Sequence, residues 1–101
     1  MKCIDDCHVY RLRAFMEGLD CIPLRFYEMR PDGIKIDGTT NEDVIRVLIH
    51  RLTYLNKEWQ NGKFYCSENE MAIDHLEQAL ELLNIRTSNR VGRHVEGTQN
   101  P

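Results

Sequence analysis

No stretch of this sequence approaches the ~20 apolar residues of a membrane span, and its opening residues, MKCIDDCHVY, lack the apolar core of a signal peptide. The expected location is therefore the cytoplasm. Positive charge is not in excess either: thirteen Lys and Arg stand against sixteen Asp and Glu, a net charge of −3. Proteins that bind long nucleic acid rely on a basic face to displace counterions, so this balance argues against that partner. In a cytoplasmic protein the four cysteines (Cys3, Cys7, Cys21, Cys66) are expected as thiols rather than a disulfide framework. Cys3, Cys7 and His8 lack the second paired cluster that a zinc site needs, so no metal is expected. Histidines are present at positions 8, 50, 75 and 94, but none belongs to an HxT or HExxH pair. Cleavage chemistry needs a clustered acid and base, so no catalytic residue and no cofactor are assigned.

What is present is an ordinary globular composition, 42% apolar and 29% charged, over 101 residues. That length allows one domain and one modest core, and burial against a second copy is a common remedy for such small chains. The expected class is α+β within a single domain, 1–101: a β-meander over 7–36, an αα-hairpin over 40–90, and a loop or tail over 91–101. CHVYRLRAFM (7–16) is short, β-favouring and without a helical stripe. EGLD breaks it, and CIPLRFYEM (21–29) then alternates Ile22, Leu24 and Phe26 on one face. PDG (31–33) is a turn signal because Pro fixes φ and Gly accepts a positive one, and IKI (34–36) supplies a third strand.

At Thr39 the period changes. Thr40 and Asp43 form a capping-box pattern, with Glu42 and Asp43 at the positive end of the helix dipole. Ile45, Leu48, Leu52, Leu55 and Trp59 recur at spacings of 3, 4, 3 and 4, a helix-packing seam that Asn61-Gly62 ends. Ser67 and Glu70 suggest a second capping box, followed by a seam of Ala72, Leu76, Ala79 and Leu83. Continued in both directions, that register reaches Asn69 and Arg86.

The last sixteen residues, RTSNRVGRHVEGTQNP, hold three arginines against one glutamate, a net +2 that leaves −5 to the first 85. On a helix running past Leu83, Arg86, Arg90 and Arg93 share one face. Arginines in a final turn also suit the helix dipole, which is the plainer reading of the cluster. However, Arg86 lies on the packing register, where a guanidinium is costly unless paired. Gly92 and Gly97 flank RHVE and let the backbone present N–H groups. Guanidinium forks and free amides suit phosphate oxygens. Trp59, Phe64 and Tyr65 surround the helix link, where aromatic faces can stack on bases; the plainer reading is that Trp59 and Phe64 plug the open end of the hairpin, and for Trp59 that reading is preferred. Asn69 offers an amide that reads a base edge, or a helix-start role. Arg51 is a candidate for a second anionic pocket, or an exposed charge.

The segment GKFYCSENEMAIDHLEQALELLNIRTSNRVGRHVEGTQNP resembles the C-terminal half of small phage proteins with the pattern GxFxCxEN…AI…LExAL…L…RTxxRxxRGVEGT. These form the hairpin-domain group of Thoeris anti-defence and anti-CBASS proteins. DGIKIDGTTNEDVIRVLIHRL is similar to the group's strand-to-first-helix segment, so the likeness spans about residues 22–101. His94 departs from it, standing where the pattern has the glycine of RGVEGT.

The resemblance implies a small sheet with two long helices, assembled as symmetric oligomers, a dimer or often a hexamer. It implies a sponge acting in the infected bacterial host cell. Such proteins bind cyclic nucleotide immune signals (cyclic ADP-ribose isomers, cyclic dinucleotides or cyclic trinucleotides) between subunits and leave them uncleaved. Carried onto matching positions, the motif residues are Phe64, Asn69, Arg86, Arg90, Arg93, Glu96 and Thr98, with Tyr65 beside them from its place at the link. In this reading the arginines pair with phosphates, Phe64 or Tyr65 stacks on a base, and the Gly97-Thr98 loop closes over the ligand. The alternative is a structural or protein-interaction αα-hairpin with no nucleotide ligand.

Overall fold

The computed structural model describes residues 1–92, so Arg93, Glu96 and Thr98 lie outside the described residues. Contacts gather into two compact units, Met1–Thr40 and a second from Asn41 onward. The boundary falls where the sequence changes period. Antiparallel strands followed by two helices make the chain α+β.

In the first unit β1 (Lys2–Asp5), β2 (Val9–Arg13) and β3 (Asp20–Arg25) form one antiparallel sheet in the order β1-β2-β3. Strand β1 is an addition to the sequence reading, which started the meander at Cys7. Cys7 instead occupies the hairpin turn between β1 and β2. Asp6 and Cys7 have φ of 41° and 63°, and His8 N–H donates to the Asp5 carbonyl at 2.7 Å. Two successive positive φ values are the mark of a type I′ hairpin turn, whose twist matches that of the flanking strands. Pro23 lies in β3, a sheet edge, where a residue without an N–H is tolerated.

The run over 21–29 is not one strand. It divides after Arg25, and β4 (Glu28–Met29) pairs with β5 (Lys35–Ile36) as a separate ribbon around the PDG turn. The physical reason is a competing partner. Thr39 N–H donates to Arg25 O and Tyr27 N–H to Thr39 O, both at 2.9 Å, so Phe26 bridges in parallel to Thr39. Inside the unit, Tyr10 and Phe26 meet edge to face with ring centroids 5.8 Å apart.

The second unit is the helix pair. Helix α1 (Asn41–Lys57) begins directly after Thr40, as the cap expected there requires, with Glu42 and Asp43 in its first turn. Helix α2 (Ser67–Gly92) has 26 residues against 17 in α1. Ala72, Leu76, Ala79 and Leu83 are all half-buried on the predicted seam, and Ile73 is the one buried apolar side chain among the described residues.

Three expectations on this unit need correction. Helix α1 ends at Lys57, so Trp59 sits in the turn Trp59–Gly62 rather than on the α1 seam. Leu48, also placed on that seam, is exposed. Helix α2 takes in Ser67 as its first residue; the Ser67 hydroxyl lies 3.5 Å from Glu68 Oε2, and the Glu70 carboxylate turns to Asn56 on α1 instead of closing a capping box.

Candidate functional site

The helix link is built from three successive left-handed residues: Gln60, Asn61 and Gly62, at φ 48°, 59° and 77°. Only at Gly62 does this conformation come without a steric cost. The turn is closed by Asn61 N–H to Glu58 O at 3.1 Å, Lys63 N–H to Gln60 O at 3.2 Å and Tyr65 N–H to Gly62 O at 3.1 Å.

What forces so tight a reversal is Asn56. It is 1% exposed, the most buried side chain among the described residues. Its Oδ1 accepts from Cys66 N–H and from Asn69 Nδ2, each at 3.1 Å. Its Nδ2 donates to Cys66 O and to Glu70 Oε1, each at 3.3 Å. One side chain on α1 therefore satisfies both backbone groups of the residue before α2 and two side chains of its first turn. Only one orientation of the amide does this, since Cys66 N–H needs an acceptor and Cys66 O a donor. The sequence reading missed Asn56. Its signal was a polar residue four positions after Leu52, inside an apolar stripe.

The clasp decides what the predicted residues present. Phe64 does not plug the hairpin, for it is 54% exposed; Tyr65 is 57% exposed beside it, and Lys63 Nζ lies 5.7 Å from the Phe64 ring centroid. An exposed ring beside a cation suits a base attached to a phosphate. Trp59 leans on Tyr54, with centroids 6.0 Å apart. Asn69 spends its donor on Asn56, and its Oδ1 faces no hydrogen-bond partner among the described residues.

Arg86 and Arg90 both lie on α2, one turn apart, as expected. They differ in availability. Arg86 is exposed, whereas Arg90 is 8% exposed and already engaged in an interaction within the chain. Neither is near the aromatic group. Arg86 lies seventeen positions after Asn69, which is about 26 Å along a helix. The structure thus brings Phe64, Tyr65 and Asn69 to one end of α2 and Arg86 and Arg90 to the other.

A further concavity lies on α1. Arg46, Val47, His50, Arg51 and Tyr54 line a cleft of about 520 Å³. An adjoining cleft of about 430 Å³ adds Ile49, Thr53 and Glu58 from the α1 end and Glu77 and Leu80 from α2. Arg46, His50 and Tyr54 share one helix face at four-residue steps. The sequence reading singled out only Arg51 of this group, and the periodicity of Arg46, His50 and Tyr54 was the signal available. Arg46 lies 3.9 Å from Asp43, an exposed pair that contributes little and leaves the guanidinium accessible. Among the described residues, no three His, Cys, Asp or Glu side chains are grouped to hold a metal ion.

A sequence model of the Acb2/Tad1 hairpin domain matches residues 25–88, from the end of β3 through most of α2. The chain belongs to the Acb2/Tad1 hairpin-domain family. Among its relatives is Thoeris anti-defense 1 of Bacillus phage SBSphiJ7, 52% identical over 62 residues. That alignment covers 61% of this chain and 41% of the relative, so the chain spans less than half of that protein's length. The Acb2/Tad1 match contains Phe64, Tyr65, Asn69 and Arg86 together with Asn56, and stops two residues short of Arg90.

Proposed function

We propose that this Acb2/Tad1 hairpin protein is a phage anti-defence sponge. It binds cyclic nucleotide immune signals, cyclic ADP-ribose isomers or cyclic di- and trinucleotides, inside the infected cell and releases them chemically unchanged. The observation that carries the reading is the separation on α2. An exposed aromatic pair with the amide of Asn69 beside it stands at one end, and an exposed arginine stands about 26 Å away at the other. A cyclic dinucleotide is far shorter than that gap, so the two groups meet on one ligand only when different copies contribute them. The exposed Val47, Leu48, Leu82, Ile85 and Val91 on the two helices supply apolar surface for such an assembly, a dimer or hexamer.

The chemistry required is modest. Arg86 provides directed donors to phosphate, with Arg90 assigned beside it through the family motif although it is buried and engaged within this chain; Phe64 or Tyr65 gives a stacking face, and Asn69 an acceptor for a base amine. Arg93, Glu96 and Thr98 are assigned to the same site through the family motif. Sequestration needs no nucleophile, base or metal. It needs affinity, and a preorganised ligand buried between subunits reaches nanomolar binding, about −12 kcal/mol. No helix among the described residues is long and apolar enough to cross a membrane, which fits action within the host cytoplasm.

The test is retention. Purified protein is mixed with a panel of cyclic dinucleotides, cyclic trinucleotides and cyclic ADP-ribose isomers, and bound ligand is recovered by heating. One ligand retained and recovered intact is the expected result; a cleaved ligand makes the protein an enzyme. If nothing is retained while the chain still self-associates, the interaction-module reading takes its place. Charge reversal then locates the site. Because Arg86 is exposed, Arg86→Glu should fold normally yet weaken retention about 100-fold, the scale of a lost charge-assisted pair with phosphate. Phe64→Ala should weaken it about 10-fold through lost stacking. Unchanged retention in both variants, measured by equilibrium dialysis, removes these residues from the site.

A further inference from the structure

The β1–β2 hairpin carries chemistry that the nucleotide site does not use. Cys3 on β1 and Cys7 in the turn place their Sγ atoms 3.5 Å apart, and Cys7 N–H donates to Cys3 Sγ at 3.2 Å. Both side chains are exposed. Cys7 adopts φ 63° at the second central position of a turn that favours glycine there, so a residue with a Cβ is held against its ordinary preference. The turn folds the Cys7 thiol back over β1, on which Cys3 pairs with Tyr10 across the strands.

We propose that Cys3 and Cys7 form a reversible dithiol–disulfide site whose co-reactant is a low-molecular-weight disulfide. The thiolate of one cysteine attacks a sulfur of the small disulfide, forming a mixed disulfide and releasing the first small thiolate. The second cysteine, deprotonated, attacks the protein sulfur of that mixed disulfide and displaces the other small thiolate. The two protein thiols lose two electrons and two protons, and the small disulfide gains them as two thiols. From 3.5 Å, side-chain rotation must bring the sulfurs to about 2.05 Å. Hydrogen bonding between the two sulfurs holds the Cys3 thiol above its usual range, and a hydrogen bond to Cys7 does the same for the Tyr10 phenol. A raised Cys3 thiol carries less thiolate, so the exchange should run faster as pH rises. Closure would tie β1, exposed at all four of its residues, to its own turn. The hairpin lies outside the matched residues 25–88, so this site stands independently of the nucleotide reading.

The full-length protein is incubated with oxidised glutathione, digested with trypsin and weighed. Cleavage after Lys2 and Arg11 places both cysteines on one peptide, 3–11. The expected result is that this peptide loses about 2 Da and regains it with dithiothreitol, while Cys21→Ser behaves identically. In Cys7→Ser the second step is blocked, and Cys3 should keep a glutathione adduct of about 305 Da. A wild-type peptide that carries stable glutathione on both cysteines overturns the proposal. So does an interchain disulfide, or no reaction under conditions that modify Cys21.

Discussion

Replacing Asn56 by alanine should destabilise the helix pair by about 3–4 kcal/mol, the largest effect expected from any conservative truncation in α1. Asn56 is buried and makes four hydrogen bonds, two to the backbone of Cys66 and one each to Asn69 and Glu70. A typical hydrogen bond contributes only about 1 kcal/mol net, but a buried partner left unsatisfied costs about 1–3 kcal/mol. Cys66 N–H and O both lose their partner at once, in a link already bent through three left-handed residues. Asn56→Leu should be no better, because it restores volume without restoring the partners. Urea titration followed by helical circular dichroism measures the loss. If both variants cost under about 1 kcal/mol, water reaches Cys66 and the clasp is not what fixes the reversal. Failure of the clasp also predicts a functional loss, since Asn69 is positioned by Asn56 and Phe64 and Tyr65 are held by the same turn.

A comparably large effect is expected at Gly38→Ala, for a different reason. A Cβ there would lie 2.5 Å from the Phe26 carbonyl carbon and 2.7 Å from both Phe26 O and Tyr27 N. These are backbone atoms, so no side-chain rotation relieves the contact. The chain at Gly38 must retreat, which pulls Thr39 away from Arg25 O and Tyr27 N–H. We expect a loss of about 3 kcal/mol or more in the first unit. Hydrogen exchange should show the Tyr27 and Thr39 amides losing protection while the amides of α2 keep theirs. Gly33→Ala is the control. It has φ +87° but open space around it, so it isolates backbone conformation at a cost of about 1 kcal/mol. If Gly38→Ala costs no more than Gly33→Ala, the close approach at Phe26 is not what divides β3 from β4.

Both predictions rest on contacts the sequence reading did not foresee, at Asn56 and at the Gly38 of the DG break, and the reason is common to them. Periodicity reports which face of an element is apolar, so the α2 seam from Ala72 to Leu83 was legible, as was the change of period at Thr39. Turn chemistry is equally local, and PDG (31–33) turns where Pro and Gly require it. Asn56 acts on residues 10 to 14 positions away, and Gly38 acts on Phe26 and Tyr27. No local pattern encodes those partners. Cys7 misled in the opposite direction: among β-favouring neighbours it reads as the start of a strand, yet it turns the chain because β1 and β2 pair across it.

The candidate site divides along the same line. The residue types came from the sequence: aromatic rings at the helix link, an amide opening α2 and arginines near its end, all within a motif that resembles the Acb2/Tad1 hairpin. Helical rise alone then fixes their spacing along α2, because each residue advances the axis by about 1.5 Å. Which groups are free was decided only by tertiary structure. Phe64 and Tyr65 are turned outward because the clasp closes the link beneath them, Asn69 gives up its donor to Asn56, and Arg90 is buried while Arg86 is not. Local sequence determines the order and the faces of the elements. Availability depends on where a distant segment returns to satisfy a buried polar group, and that is settled only when the chain is folded.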